Sequence, residues 1–196
     1  MIEDCTAIIL AGGDSRRMGR DKASLLLGDQ TLLQHVIAVM QPIFSEVIVS
    51  VRQPRAEINL PQVCDDPAAA GPLAGLAAAL GQIKTPWAFV VACDMPFVQA
   101  AMIEKLSQYR GDFQAVVPVV QGHVQPLAAF YASSGLEVIR AHLAGGGKNS
   151  LRAVLEKISV RYVDEPELFG VGSTRRSFFD LDTPQDVAIA FKDGNF

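Results

Sequence analysis

The sequence predicts an α/β sandwich of three layers, with a mixed, mostly parallel sheet between two layers of helices. Three observations carry that prediction. Short apolar runs alternate along the chain with longer segments of helical spacing, the order expected of strand–helix repeats. The run Ala88-Phe89-Val90-Val91-Ala92 shows no polar alternation, as in a central strand covered on both faces. A glycine-rich turn, Leu10-Ala11-Gly12-Gly13, leaves the first apolar run, where an open α/β sheet receives its ligand. With 196 residues, 49% of them hydrophobic, a single domain over residues 1–196 can bury a full core.

Residues 6–10, 47–51, 87–92, 115–120 and 127–131 are compact apolar runs and read as strands. Residues 31–40, 73–83, 102–109, 136–143 and 150–158 have helical length or spacing and fall between them. Some of the later strands are expected to run antiparallel. Residues 164–177 carry Pro166, Gly170, Gly172 and the pair Arg175-Arg176 and read as a mobile loop. Phe178-Phe179-Asp180-Leu181-Asp182 reads as a late strand, whose alternation puts both aspartates on one side. A last helix starts with Thr183 as N-cap, Pro184 at its first position and Asp186 in its first turn, and runs to about Lys192.

The formal net charge of -4 argues against a nucleic-acid partner, which asks for a basic face or stripe. No apolar run reaches the roughly 18–20 residues needed to span a bilayer, and Met1-Ile2-Glu3-Asp4 lacks the basic start of a secretory signal. Cys5, Cys64 and Cys93 form no CxxC pair and leave an odd count, so they read as small buried apolar residues in a reduced, cytoplasmic protein. His35, His123 and His142 have no metal-ligand spacing.

Against this acidic background the basic cluster Arg16, Arg17, Arg20 and Lys22 is local. Glycines let backbone N–H groups close on an anion, and the basic side chains add charge that bare amides lack. The spacing is neither G-x-G-x-x-G nor a Walker loop, since Gly12 and Gly13 are adjacent and Gly19 precedes Arg20-Asp21-Lys22. A lysine at the start of a helical turn opposes the helix dipole, which favours a ligand-facing role for Lys22 over an idle surface one. Asp94 ends the strand 87–92 and is followed by Met95-Pro96, so it should share one crevice with the glycine turn. One carboxylate there suits Mg2+, which takes few protein carboxylates, several waters and phosphate oxygens; capping of the turn is the plainer alternative.

The stretch from Leu10 to Ala23 follows the pattern LAGGxSxRMGxDKA and resembles the signature of the molybdenum cofactor guanylyltransferases. The resemblance continues through Asp66, Gly71-Pro72-Leu73-Ala74-Gly75, Ala92-Cys93-Asp94-Met95-Pro96, Gln125-Pro126-Leu127 and Asp182-Thr183-Pro184, nearly the whole chain. It implies a Rossmann-like nucleotidyltransferase fold and transfer of GMP from GTP to the molybdopterin cofactor, with Mg2+ as cofactor. It also implies partner proteins that supply the cofactor and mature molybdoenzymes.

On that resemblance Leu10, Ala11, Gly12, Gly13, Asp66, Gly71 and Gly75 hold the nucleotide, Lys22 and Arg17 face the phosphates, and Asp94 holds the metal. For Gly71 and Gly75, contact with the base and tight helix–sheet packing weigh equally; Asp65 reads as solvated. Independently of the resemblance, Lys148 and Arg152, after Gly145-Gly146-Gly147, form a second basic patch for the acceptor's phosphate, and Lys148 with Asp180 and Asp182 makes the candidate acceptor site. Guanylyl-transferring members commonly have asparagine where this chain has Asp180, Asp182 and Ser50, whereas cytidylyl-transferring relatives have aspartates at the first two. The doubled glycine and the Gly-Pro-Leu-Ala-Gly segment are guanylyl-like. Cytidylyl transfer, another phosphate acceptor and a noncatalytic cofactor chaperone remain the alternatives.

Overall fold

Strand β1 (Ile2–Leu10) lies at the centre of the sheet, where its apolar residues pair on both edges. A computed structural model describes residues 1–12, 22–65, 71–146, 150–168, 175–181 and 186. After a short hairpin, β2 (Leu26–Leu27) and β3 (Gln30–Thr31), helix α1 (Leu32–Met40) leads to β4 (Phe44–Val51) and β5 (Gln62–Cys64). Helix α2 (Pro72–Leu80) returns the chain to β6 (Trp87–Ala92), and α3 (Ala100–Ser107) leads to β7 (Ala115–Val120). Then follow β8 (His123–Val124), β9 (Ala128–Ala132), α4 (Leu136–Ala144), α5 (Leu151–Leu155), β10 (Val160–Asp164) and α6 (Glu165–Leu168).

The sheet order is β10-β7-β9-β6-β1-β4-β5, with β8 paired to β7. β1 runs parallel to both β4 and β6, β4 parallel to β5, and β7 parallel to β10; β9 is antiparallel to β6 and β7. The chain moves from β1 outward to β5, then crosses back to β6 on the other side of β1. The carboxyl ends of β1 and β6 therefore flank a topological switch point, where helices diverge and leave a crevice.

Side-chain alternation sorts the core into two layers. Ala7, Ile9, Val49, Phe89, Val91 and Phe130 join Val36, Met40, Met102 and Ile103 on one face. Ile8, Leu10, Ala88, Val90 and Tyr131 join Leu73, Leu76, Ile139 and Leu151 on the other. Each apolar strand thus fills both layers, which is why these runs lack polar alternation. Helix α1 starts where Thr31 makes a capping box: its hydroxyl accepts from the Gln34 N–H at 3.2 Å, and its own N–H donates to Gln34 Oε1 at 2.8 Å.

The expected strands and helices are present with small shifts of boundary, and β9 supplies the antiparallel pairing. Three of these expectations differ. Residues 165–168 of the expected loop form the single turn α6, and residues 169–174 lie outside the described residues. The expected late strand is absent among the described residues: Arg175–Phe178 is a 3-10 turn, and the segment after it is held instead by the Leu181 N–H donating to the Asp94 carbonyl at 2.9 Å. Buried Leu181 also packs on Leu27 and Leu32. Cys64 is exposed because its strand, β5, is a sheet edge, whereas Cys5 and Cys93 are buried as expected. Burial pushes the Cys5 thiol up to about 12. The expected last helix falls outside the described residues except Asp186, which is helical. No helix among the described residues is long and apolar enough to cross a membrane.

Candidate functional site

A cavity of about 210 Å³ opens at the carboxyl ends of β1, β4 and β6; Leu10, Gly12, Ser50, Gly71, Gly75 and Asp94 are among the residues lining it. Its floor is fixed by the backbone. The Cys93 N–H donates to the Leu10 carbonyl at 3.1 Å and the Ala11 N–H donates to the Ser50 carbonyl at 2.8 Å, so the end of β1 is clamped on both sides. The chain leaves this clamp at Gly12, which rests against Arg52: a Cβ there would lie 3.4 Å from Arg52 Cγ.

One wall is the start of α2. Gly71 caps this helix with φ +96°, a conformation that side chains disfavour, and Pro72 follows at its first position. Gly75 sits one turn on, where α2 presses on the sheet. A Cβ at Gly75 would lie 2.6 Å from Ser50 Oγ and 3.3 Å from Leu10 Cδ2, so the packing reading holds for this glycine while the same atoms line the cavity. The opposite wall comes from the turn before β9. Tyr131 donates its hydroxyl to the Pro126 carbonyl at 2.9 Å, and the Ala92 N–H donates to the Leu127 carbonyl at 3.1 Å, which sets Leu127 in the lining.

Charge is concentrated at the mouth. Lys22 opens a 3-10 turn, Lys22–Ser24, and its Nζ donates to Asp94 Oδ2 at 2.9 Å, with the two side chains 24% and 17% exposed. The cation from the glycine-turn segment and the carboxylate from the end of β6 thus meet across 72 positions of sequence. The structure brings together Leu10, Ala11, Gly12, Lys22, Gly71, Gly75 and Asp94, all predicted from sequence. Asp180 is exposed and precedes Leu181, whose N–H bonds the Asp94 carbonyl; it is not among the described residues that line the cavity. Gly13, Arg17, Asp66, Lys148 and Asp182 lie outside the described residues.

Asp65 is the correction. It is 8% exposed and lines the cavity, where a solvated aspartate was expected; its place directly beyond β5 puts it at the carboxyl ends of the parallel strands, beside Leu10 in the lining. Ser50 belongs in the lining too, buried at 2%. The histidines are dispersed: His35 and His123 donate to the Leu27 and Gln121 carbonyls at 2.8 and 3.1 Å, and buried His142 accepts from Lys157 Nζ at 2.9 Å.

A three-layer α/β fold with a lysine–carboxylate pair over a glycine-walled cavity at the switch point is the setting in which such sheets bind nucleotides. The family model of the MobA-like NTP transferase domain matches residues 7–162, and the chain belongs to that family. Among its relatives, a probable molybdenum cofactor guanylyltransferase of Chloroflexus aggregans is 37% identical over 194 residues, covering 94% of this chain and 92% of the relative. Another of the same description, from Pelotomaculum thermopropionicum, is 34% identical over 187 residues, covering 94% and 91%. The crystal structure of molybdopterin-guanine dinucleotide biosynthesis protein A from Archaeoglobus fulgidus superposes with a TM-score of 0.85 at 25% identity, covering 96% and 97% of the two chains. A 2-C-methyl-D-erythritol 4-phosphate cytidylyltransferase from Thermus thermophilus shares the fold, with a TM-score of 0.70 at 19% identity and coverage of 93% and 95%.

Proposed function

We propose that this chain is a cytoplasmic, Mg2+-dependent guanylyltransferase that transfers GMP from GTP to the molybdopterin cofactor, forming its guanine dinucleotide. The observation that carries the reading is the Lys22–Asp94 pair, 2.9 Å apart at the switch point. The names of the relatives supply guanine and the acceptor.

In the reaction an oxygen of the acceptor's terminal phosphate forms a bond to the α-phosphorus of GTP. The α–β bridging bond breaks, and its electron pair leaves with pyrophosphate. The attacking phosphate is already an anion, so no general base is needed, and the protein's task is in-line positioning and charge neutralisation. The walls at Leu10, Ala11, Gly12, Gly71 and Gly75 hold the base and ribose, with Gly13 and Asp66 continuing the contact. Lys22, aided by Arg17, neutralises charge developing on the α-phosphate and the departing pyrophosphate. Lys148, Asp180 and Asp182 hold the acceptor.

Asp94, with Asp65 in the lining of the same cavity, offers carboxylate oxygens to the cleft, and a donor set of one or two carboxylates fits Mg2+, which completes its shell with waters and phosphate oxygens. Bound there, the ion would neutralise phosphate charge and orient the leaving group. The test is pyrophosphate release with each of the four common nucleoside triphosphates, with and without molybdopterin and Mg2+. Release requiring GTP, molybdopterin and Mg2+ together supports the reading. Faster release with CTP overturns the guanylyl assignment, and nucleotide binding without any release leaves a carrier.

A further inference from the structure

Gly12 ends the run out of β1, Lys22–Ser24 is the 3-10 turn that carries the cleft lysine, and one surface segment touches both. That segment is the connection between β4 and β5. At its start Arg52 lies against Gly12. Three residues on, Arg55 reaches the other end: its Nη2 donates to Ser24 Oγ at 2.6 Å.

Arg55 is held firmly enough to act as a brace. Its N–H donates to Gln62 Oε1 at 2.8 Å, and its carbonyl accepts from Gln62 Nε2 at 2.8 Å. Its Nε donates to Glu57 Oε1 at 2.8 Å, and its side chain is only 16% exposed in a connection that the core residue Ile58 anchors to the sheet. The Glu57 carboxyl is held below its ordinary range by its own backbone N–H first and then by the Arg55 guanidinium. Ser24 in turn closes the 3-10 turn whose first residue is Lys22, and the Leu25 N–H donates to the Lys22 carbonyl at 3.0 Å.

We infer that Arg55 is a positioning residue: through Ser24 it fixes the turn that aims Lys22 at the phosphates, and it ties that turn to the base side of the cleft through the β4–β5 connection. The inference rests on the nucleotidyl-transfer reading above. A brace of this kind acts on the geometry of the transition state more than on ground-state binding, so its loss falls on kcat.

The experiment is a set of coupled variants: Arg55→Ala, Ser24→Ala, their double variant, Lys22→Ala, and Lys22→Ala with Arg55→Ala. Rates are taken per folded enzyme, with GTP and molybdopterin. Arg55→Ala and Ser24→Ala should each lower kcat about tenfold with the KM for GTP changed less than about twofold, the double should be no worse than Arg55→Ala, and Arg55→Ala should have no further effect once Lys22 is gone, the non-additivity of groups acting as a unit. An undiminished effect of Arg55→Ala in the Lys22→Ala background, or an unchanged kcat, overturns the inference. Hydrogen exchange gives a readout independent of turnover. Arg55→Ala should speed exchange of the Leu25 amide about fivefold or more, and unchanged exchange overturns the brace even if the enzyme uses another nucleotide. Absence of GTP turnover in the wild-type chain, with Leu25 exchange responding as expected, overturns the guanylyl reading alone.

Discussion

Replacing Gly75 with alanine tests the wall of the cleft through a contact whose size is known. The new Cβ would lie 2.6 Å from Ser50 Oγ, about 0.8 Å short of the 3.4 Å at which ordinary contact begins. Ser50 is 2% exposed in β4, a strand paired on both edges, so its backbone cannot retreat and its hydroxyl can yield only by turning into the cavity it lines. Overpacking of this kind costs about 1–3 kcal/mol, whereas exchanging glycine for alanine inside a helix returns about 0.5–1 kcal/mol. Taken at their midpoints the two leave a net loss of about 1.3 kcal/mol, which for a chain of this size lowers Tm by about 2.5–5 °C.

Ser50→Ala supplies the control. It removes the Oγ and leaves the Ser50 Cβ at 3.7 Å from the added methyl, an ordinary contact, while the flexible Leu10 side chain absorbs the remaining 3.3 Å approach. In that background Gly75→Ala should be neutral or stabilising. Thermal unfolding of the wild type, both single variants and the double variant measures the change of sign. A Gly75→Ala protein as stable as the wild type, or one losing the same stability in both backgrounds, would refute the packing argument.

Lys22→Ala should reduce kcat by about 10²–10³-fold, the loss typical of one transition-state charge donor of about 2.7–4 kcal/mol, read as initial rates of pyrophosphate release. Asp94→Asn should abolish the response of the rate to added Mg2+ while leaving the fold intact by circular dichroism. In the native protein at pH 8, iodoacetamide should label exposed Cys64 first and spare Cys5 until unfolding, with the sites assigned by mass spectrometry. Because burial raises the Cys5 pKa from 9.0 to about 12, its contribution to stability is complete below pH 9 and is lost as the pH climbs towards 12; Cys5→Ala should flatten that part of the pH–stability curve.

What was legible in the sequence follows from how strongly each element is specified. Ala88-Phe89-Val90-Val91-Ala92 fills both core layers, and its bounds emerge at Trp87–Ala92 without shift. Edge strands carry weaker signals. β5 has three residues, none of them buried, and β10 mixes Arg161 and Asp164 with its apolar residues, so neither has a clear period. The segment after Phe178 misleads for another reason: Leu181 is buried by packing on Leu27 and Leu32, and its N–H finds the Asp94 carbonyl, so it needs no ladder to satisfy its backbone.

The site divides in the same way. Gly12, Lys22 and Asp94 belong to segments whose residue types announce phosphate chemistry. Asp65 and Ser50 do not: their importance comes from sitting with Leu10 at the carboxyl ends of neighbouring parallel strands, a fact of strand order. The link from Arg55 to Ser24 spans 31 positions and leaves no local pattern at all.

A crystal structure of the protein soaked with GTP and Mg2+ tests the central claim most directly. The account predicts the base between Gly12 and Gly75, with the phosphates at Lys22 and the ion on Asp94. A triphosphate bound elsewhere, with the cleft beyond β1 and β6 left open, would contradict it.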